Sequence, residues 1–192
     1  MSENNWKKFI EATKSRQPVG FLIDIVKKGE VSGLALDLGC GAGVDAKYLA
    51  ENGFKVVAVD NNAEAISQAK QVCAGLDVEV VAADVINFEI EPEKYSLIVS
   101  WNTLPFLKKE EAKKVLENIK RGLKKDGLFV FCVLGKKDGW NYKKKMSFWD
   151  LDEFEKFMEG MEFVELYEKR KQEPGATGES KLWNSIRGMI RK

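Results

Sequence analysis

A short glycine-rich segment with an acidic residue at its start carries the clearest chemical signal in this sequence. It reads Asp37-Leu-Gly-Cys-Gly-Ala-Gly43 and directly follows a run of apolar residues. Glycine has no Cβ atom, so its backbone can turn sharply and come very close to a ligand. In open α/β sheets, ligands bind beside this first turn, at the carboxyl ends of the strands. The segment therefore predicts a ligand-binding loop between a first strand and a first helix.

Two further carboxylates lie where a second and a third strand are predicted to end. Asp60 closes the run at residues 55–60, and Asp84 closes the run at residues 78–84. A carboxylate at the end of the second strand can accept hydrogen bonds from ribose hydroxyls. Strands often end in Gly or Asp for structural reasons alone, but here the loop and both carboxylates follow in the order of a nucleoside site. We therefore predict a nucleoside-sized ligand at this edge of the sheet.

The residue types that are missing exclude several kinds of catalytic site. The chain of 192 residues has no histidine, which excludes Ser-His-Asp and Cys-His catalysis, a histidine base and His-ligated zinc. Its three cysteines form no C-x-x-C pair and are too few for a zinc site with four cysteine ligands. Inside the glycine loop, Cys40 is expected to be a small residue beside a ligand and not a nucleophile. We expect no metal site and a reducing compartment.

The overall composition limits the class of partner. A net charge of +1 argues against a dedicated nucleic-acid binder, and the longest apolar run, residues 128–134, is too short to span a bilayer. We expect a cytoplasmic protein, monomeric or homodimeric, with a small-molecule partner, no nucleic acid and no membrane contact. Residues 136–146 hold five lysines, Trp140 and Tyr142. They could form a lid over an anionic or aromatic substrate or touch nucleic acid, but the expected arrangement is a solvated basic loop whose aromatic side chains pack against the core.

Short apolar runs alternate with amphipathic stretches from residue 34 onward. The runs at 34–40, 55–60, 78–84, 95–101 and 128–135 are rich in Val, Leu and Ile and are predicted strands. Helices are predicted between them over 44–51, 63–73 and 108–123. Either Asn61 or Asn62 can cap the start of the second helix, and the third ends before a turn signal at Asp126-Gly127. Because the strands are apolar almost throughout, we expect a mostly parallel sheet covered by helices on both faces.

The two ends of the chain depart from this alternation. Residues 162–171 and 181–190 are predicted strands with no helix between them, so they should form an antiparallel hairpin around a turn at 172–180. A capping-box pattern from Asp150 to Glu153 predicts a short helix before the hairpin. Near the N-terminus, predicted helices over 5–14 and 19–28 should pack over the edge or mouth of the sheet. We expect one domain over 1–192, with N-terminal helices in 1–30 and a core over 34–192.

The segment from Asp37 to Gly43 resembles the first motif of the class I S-adenosylmethionine-dependent methyltransferases. The dinucleotide fingerprint, G-x-G-x-x-G, has its third glycine one residue later. The resemblance covers nearly the whole chain from Leu34 and is nearest to the small tellurite-resistance and thiopurine-type methyltransferases. It implies a Rossmann-like three-layer sandwich whose seven-stranded, mostly parallel sheet has the order 3-2-1-4-5-7-6. It also implies S-adenosylmethionine as the cofactor.

The resemblance further implies roles for individual residues. Asp60 would hold both ribose hydroxyls, Asp84 and Val85 would contact the adenine, and Ser100 and Trp101 would lie beneath the sulfonium. Gly39 and Gly41 would line the methionine portion of the cofactor. Asp37 would orient the loop and the ammonium group of the cofactor. The full predicted cofactor set is Asp37, Gly39, Cys40, Gly41, Gly43, Asp60, Asn61, Asp84, Val85, Ser100 and Trp101.

The acceptor side is less well defined in the sequence. Many members of the class have a histidine just after strand four, where this chain reads Trp101-Asn-Thr-Leu-Pro-Phe106, so no catalytic residue is assigned. We expect direct in-line methyl transfer to a small molecule, such as a thiol, another soft nucleophile or an already ionised oxygen. Trp6, Asn102 and Trp140 are the candidate substrate residues, although core packing would explain Trp6 equally well.

Two other interpretations of the same pattern stay open at this point. A non-catalytic S-adenosylmethionine-binding regulatory protein would have the same cofactor residues. The glycine spacing disfavours an NAD-dependent oxidoreductase. The three carboxylates also disfavour it, because they would oppose the phosphates of NAD.

Overall fold

The computed structural model describes residues 3–176, 178 and 180–192. Six α-helices within this part of the chain are α1 Glu3–Thr13, α2 Gly20–Lys28, α3 Val44–Glu51, α4 Ala63–Val72, α5 Lys109–Gly122 and α6 Leu151–Phe157. The strands are β1 Leu34–Leu38, β2 Lys55–Asp60, β3 Val78–Ala82, β4 Tyr95–Trp101, β5 Leu123–Gly135, β6 Phe148–Trp149, β7 Glu162–Pro174 and β8 Ser180–Arg191. One 3-10 turn, Leu104–Phe106, follows β4.

The strands form one mixed sheet in the order β3-β2-β1-β4-β5-β8-β7. The first five are parallel, whereas β8 pairs antiparallel with β5 and with β7. The predicted fold class and the order of the seven main strands are confirmed. The two-residue strand β6, which pairs with the end of β5, was not predicted. Because the carboxyl ends of the parallel strands share one edge, the glycine loop and the polar strand ends meet there.

Helices cover both faces of the sheet, which explains why the strands are mostly apolar. In β4, Leu97 and Val99 belong to the core cluster beneath α2, α3 and α4, while Ile98 belongs to the cluster beneath α5 and α6. All three side chains are fully buried. Alternate side chains of a strand point to opposite faces, so a strand covered on both sides is apolar at most positions on both faces.

Element boundaries differ from the predictions mainly at the C-terminal half of the sheet. The turn expected at Asp126-Gly127 lies inside β5, which begins at Leu123 and has an irregular register against β4 near Tyr95. Asp126 adopts a positive φ of 63° there, so the turn signal produced a local distortion and not the end of the strand. The hairpin strands also reach into the predicted 172–180 turn, of which residues 177 and 179 lie outside the described part.

The two N-terminal helices take different positions. Phe21, Leu22 and Ile25 of α2 are buried in the core on one face of the sheet. By contrast, Ile10 of α1 packs against Ala42 of the glycine loop and Ala65 of α4, above the carboxyl ends of the strands. Thus α2 packs on a face of the sheet and α1 covers its mouth. None of the described helices is long and apolar enough to cross a membrane.

Candidate functional site

A cavity of about 720 Å³ opens at the carboxyl ends of β1, β2 and β4, beneath α1. This volume lies within the range that small-molecule sites usually occupy. Ten of the fourteen residues predicted for the cofactor or the substrate line it. They are Trp6, Gly39, Gly41, Asp60, Asn61, Asp84, Val85, Trp101, Asn102 and Trp140. The fold therefore brings residues that range from the N-terminal helix to the segment after β5 into one site.

The glycine loop is held rigidly by the second strand. The backbone N–H groups of Gly39 and Cys40 both donate to the carbonyl oxygen of Val59, at 2.8 and 3.0 Å. Gly39 and Gly41 have positive φ angles of 76° and 54°, a region that side chains strongly disfavour. A Cβ atom at Gly41 would meet nothing within 4 Å. The loop thus leaves open space at Gly41 for a ligand to approach the backbone.

Asp60 links the loop to the start of α4. One carboxylate oxygen accepts from the backbone N–H of Gly41 at 3.0 Å, and the other accepts from that of Asn62 at 2.9 Å. A carboxylate offers about four acceptor positions, so two protein bonds leave capacity for a ligand's hydroxyl groups. Asp60 is half-buried at the cavity wall. Its orientation is thereby set before any ligand binds.

Asp84 is positioned in a similar way at the end of the third strand. Its Oδ1 accepts from the backbone N–H of Ile86 at 2.9 Å, and the side-chain amide of Asn61 donates to its Oδ2 at 3.5 Å. The sequence allowed either Asn61 or Asn62 to cap α4. The structure assigns the cap to Asn62, whose side chain accepts from the N–H of Ala65 at 3.1 Å. This leaves Asn61 beside Asp84 at the cavity.

The end of β4 forms the floor between the two halves of the cavity. Trp101 is half-buried and packs edge-on against Phe21, with ring centroids 6.1 Å apart. Asn102 follows with a positive φ of 60°, which is uncommon for a residue with a side chain. Such backbone conformations are frequent at functional sites, where the surrounding structure holds them. Asn102 and Trp101 both line the cavity.

Four of the predicted cofactor residues lie outside the lining of this cavity. Ser100 is fully buried, and its hydroxyl has no hydrogen-bond partner among the described residues. Gly43 caps α3, and a Cβ atom there would lie 3.0 Å from the Cα of Ala69, so this glycine serves the packing of α3 on α4. Cys40 is buried, and burial raises the pKa of its thiol well above the usual value, which opposes a nucleophilic role.

Asp37, the fourth of these residues, belongs to a buried charged cluster behind the loop. Burial and the neighbouring carboxylate of Asp45 raise the pKa of Asp37 well above its ordinary value. Arg16, between α1 and α2, binds both oxygens of Asp45, one of them at 3.1 Å. The backbone N–H of Val19 donates to Asp45 as well, at 2.9 Å. Sequence reasoning missed this cluster, since Arg16 and Asp45 are 29 positions apart.

Aromatic side chains form the opposite half of the cavity. Trp6 of α1 packs edge-on against Phe106, with centroids 4.9 Å apart. Trp140 is buried, and its ring lies 5.3 Å from that of Trp183. Its indole N–H has no hydrogen-bond partner among the described residues. Aromatic rings thus form much of the wall in this half.

The lysine-rich segment, residues 136–146, was expected to be a solvated basic loop with its aromatic side chains against the core. Lys144 and Lys145 are exposed and Trp140 is buried, as expected, whereas Tyr142 is exposed. Lys143, Lys144, Lys145 and Met146 also line the cavity, a position that the sequence left open because the segment shows no periodicity. Phe9, which the sequence offered beside Trp6 as a cap over the site, lines the cavity, and further lining residues that were not predicted include Thr103 and Phe106. The only signal for the last two was their position directly after the fourth strand.

Comparison with known proteins extends these observations. Residues 35–127 match the family model described as a methyltransferase domain. The carboxy-S-adenosyl-L-methionine synthase of Sulfurimonas denitrificans is 28% identical over 104 residues, which are 52% of this chain and 43% of that protein. The cypemycin N-terminal methyltransferase of a Streptomyces species is 37% identical over 101 residues, 51% of this chain and 41% of that protein. The match thus spans about two fifths of the length of these curated relatives.

Solved structures show the same fold over most of the chain. TehB from Haemophilus influenzae superposes with a TM-score of 0.78 at 22% identity, covering 91% of this chain and 62% of that one. The N-methyltransferase NodS from Bradyrhizobium japonicum, in complex with S-adenosyl-L-homocysteine, gives a TM-score of 0.69 at 19% identity. Its coverage is 90% of this chain and 84% of that one.

The methyltransferase domain, the motif from Asp37 to Gly43 and the sheet with its terminal hairpin together define the class. Residues 35–127 thus match a methyltransferase domain, and the chain has the fold of the class I S-adenosylmethionine-dependent methyltransferases. S-adenosylmethionine is accordingly its cofactor. The cavity suits this molecule, because Asp60 and Asp84 offer acceptors to hydroxyl and amino groups, and because neither would have to face a phosphate.

Proposed function

We propose that this protein transfers the methyl group of S-adenosylmethionine directly to a small-molecule acceptor, with a thiol or another soft nucleophile as the acceptor atom. One observation carries the proposal: a single cavity joins the glycine loop, Asp60 and Asp84 to an aromatic chamber formed by Trp6, Phe106 and Trp140. A nucleoside end and an acceptor end in one cavity are what direct transfer between two bound molecules requires.

The nucleoside end would hold the cofactor through residues that are already positioned. Asp60 would accept from both ribose hydroxyls, using the acceptor capacity that its two backbone bonds leave free. Asp84, Asn61 and Val85 would surround the adenine. The open backbone at Gly41 would lie against the methionine portion.

Methyl transfer requires little of the acceptor end except that it positions the acceptor. S-adenosylmethionine supplies a methyl group on an activated sulfonium. A lone pair of the acceptor forms the bond to the methyl carbon, and the old carbon–sulfur bond breaks with its electrons on sulfur. Aromatic walls at Trp6, Phe106 and Trp140 would orient the acceptor and exclude water.

A proton acceptor for the reaction is not evident at the aromatic end. The chain has no histidine, and Glu111, the carboxylate that lines the cavity from α5, accepts from the backbone N–H of Lys108 at 2.9 Å as part of the helix cap. A base is needed only where the nucleophile arrives protonated with a high pKa. Thiols and other acidic nucleophiles, which ionise near neutral pH, therefore fit this site better than alcohols.

The proposal is tested by following S-adenosylhomocysteine during incubation with S-adenosylmethionine and panels of thiols, phenols, alcohols and amines. We expect turnover on thiols. Asp60→Ala should weaken cofactor binding in calorimetry at least ten-fold, while Asp77→Ala, which alters an exposed carboxylate before β3, should leave it unchanged. Efficient turnover on unactivated alcohols or DNA alone would contradict the acceptor assignment, and unchanged cofactor affinity in Asp60→Ala would contradict the ribose contact.

The same experiment separates the second candidate, a non-catalytic S-adenosylmethionine-binding regulatory protein. No base is evident at the aromatic end. This observation favours a binding protein over an enzyme whose acceptor must first lose a proton. It predicts tight cofactor binding with no product from any acceptor in the panel.

A further inference from the structure

The acceptor end of the cavity has an unusual charge, which narrows the kind of acceptor it would take. We propose that the acceptor is a small, flat, apolar molecule that carries an acidic substituent, and that Lys143, Lys144 and Lys145 recognise that substituent. This inference rests on the proposed function, because it describes the molecule that would accept the methyl group. The binding preference itself can be measured without turnover.

About half of the described lysines form ion pairs, and these three belong to the other half. Among the residues that the structure describes, no carboxylate lies within 4.0 Å of any of the three ammonium groups. Elsewhere lysines pair with acids, as Lys113 does with Glu110 at 2.9 Å and Lys109 with Glu153 at 2.8 Å. Three neighbouring cations without an acidic partner at a cavity mouth create a positive potential that attracts an anion.

The lysines stand over the cavity because the segment that carries them is tied down on two sides. Asp138 is buried, forms an ion pair with buried Lys181 of β8, and accepts from the backbone N–H of Asn184 at 2.9 Å. At the other end of the segment, Ser147 donates through its backbone N–H to Pro105 at 3.0 Å and through its hydroxyl to Leu104 at 2.8 Å. These ties hold the basic segment, residues 136–147, against the cavity.

The walls below the lysines suit a flat apolar body. Trp6, Phe106, Trp140 and Met146 line this part of the cavity. Aromatic side chains bind flat ligands through stacked and edge-on ring contacts, in addition to the apolar surface area that binding buries.

Charge divides the cavity into two ends. Asp60 and Asp84 make the nucleoside end acidic, whereas at the aromatic end Lys143 to Lys145 outnumber the lining carboxylate of Glu111 and leave a net positive charge. A cationic cofactor and an anionic acceptor would each lie at the end of opposite charge. The same lysines would favour ionisation of a nearby acidic nucleophile, which is consistent with a site that has no histidine base.

Three aromatic thiols that differ only in one substituent test the inference: 3-mercaptobenzoate, 3-mercaptobenzamide and 3-(aminomethyl)thiophenol. We expect kcat/KM for the benzoate to exceed that for the benzamide about ten-fold, with the cation poorest. In Lys144→Gln/Lys145→Gln this preference should fall three- to ten-fold, mainly through KM, because each exposed lysine contributes a modest attraction. The matched control is Lys124→Gln/Lys125→Gln, two adjacent exposed lysines on β5, which should keep the full preference.

A binding measurement keeps this inference separate from the proposed function. Benzoate and benzamide, which cannot be methylated in the proposed way, are titrated into the protein with S-adenosylhomocysteine present, and tryptophan fluorescence is followed. Tighter binding of benzoate without turnover of any thiol would support the inference and contradict the function. Turnover with equal use of benzoate and benzamide thiols, or an unchanged preference in Lys144→Gln/Lys145→Gln, would overturn the inference. A ten-residue oligothymidylate that displaces benzoate at lower concentration would also overturn it, in favour of nucleic acid.

Discussion

Among single residues, Gly39 shows most clearly how the loop depends on contacts far along the chain. Its φ of 76° is left-handed, and a Cβ atom there would lie 2.7 Å from the Cβ of Thr103. Real Cβ atoms essentially never come so close. Gly41 also lies in the left-handed region, with a φ of 54°, but a Cβ atom there would have open space around it. Two glycines of one motif therefore have different physical reasons for being glycine.

We predict that Gly39→Ala destabilises the protein more than Gly41→Ala, by about 1–3 kcal/mol in the free energy of unfolding. Both substitutions place a side chain in the left-handed region, so their difference isolates the clash with Thr103. Urea unfolding of both variants measures it. Gly41→Ala should instead weaken cofactor binding, because its methyl group enters the open space of the cavity. Equal losses of stability would contradict the packing argument.

Among the secondary-structure elements, α1 covers the cavity. It is held in place by its connection to α2 and by a few contacts of its own. The segment between α1 and α2 is anchored by Arg16 on the buried carboxylate of Asp45 at the start of α3. Removing one partner of such a pair leaves a buried charge uncompensated, which costs more than removing both charges. The ion pair therefore couples the cover of the cavity to the helix that follows the glycine loop.

We predict that Arg16→Met lowers the free energy of unfolding by about 2 kcal/mol, less than for a fully buried pair because a third of the arginine side chain is exposed. The double variant Arg16→Met/Asp45→Asn should recover part of that loss, since the asparagine oxygen can still accept from Val19. Urea unfolding gives both values, and hydrogen exchange should show faster opening of α1 in the single variant. A double variant as unstable as the single one would show that the unpaired charge is not the cause.

At the scale of the whole molecule, an almost neutral chain has a cavity with two charged ends. The net charge is +1, but acidic residues cluster at the carboxyl ends of β2 and β3 while lysines cluster on the segment after β5. Because low-dielectric walls focus such fields, local charge governs what binds more than net charge does. This arrangement favours a cationic nucleoside over one that carries phosphates.

We predict that S-adenosylmethionine at one hundred times its Kd raises the Tm by about 5–10 °C, which follows from about 2.7 kcal/mol of ligand stabilisation in a chain of this size. NAD at the same concentration should produce no shift, because Asp60 and Asp84 oppose its pyrophosphate. Differential scanning calorimetry measures both. A shift with NAD of similar size would revive the oxidoreductase interpretation.

Much of the fold followed from local patterns. The apolar runs that became β2 and β4 were assigned with their observed boundaries, because strands buried on both faces are apolar at most positions. The turn signal at Asp126-Gly127 misled, since pairing with β4 and β8 extends β5 through it. Local preference indicates where a chain can turn, but tertiary hydrogen bonding decides whether a strand ends there.

For the site, the sequence by itself determined the nucleoside end. Gly39, Gly41, Asp60 and Asp84 meet because parallel strands bring their carboxyl ends to one edge, a consequence of order along the chain. Trp6, Asn102 and Trp140 were already candidates for the acceptor end, but the charge of that end depends on packing. The position of Lys143 to Lys145 depends on an ion pair and hydrogen bonds between segments far apart in sequence, which leave no periodic trace in the chain. Periodicity records which face of an element is buried, and contacts between irregular segments are settled only by packing.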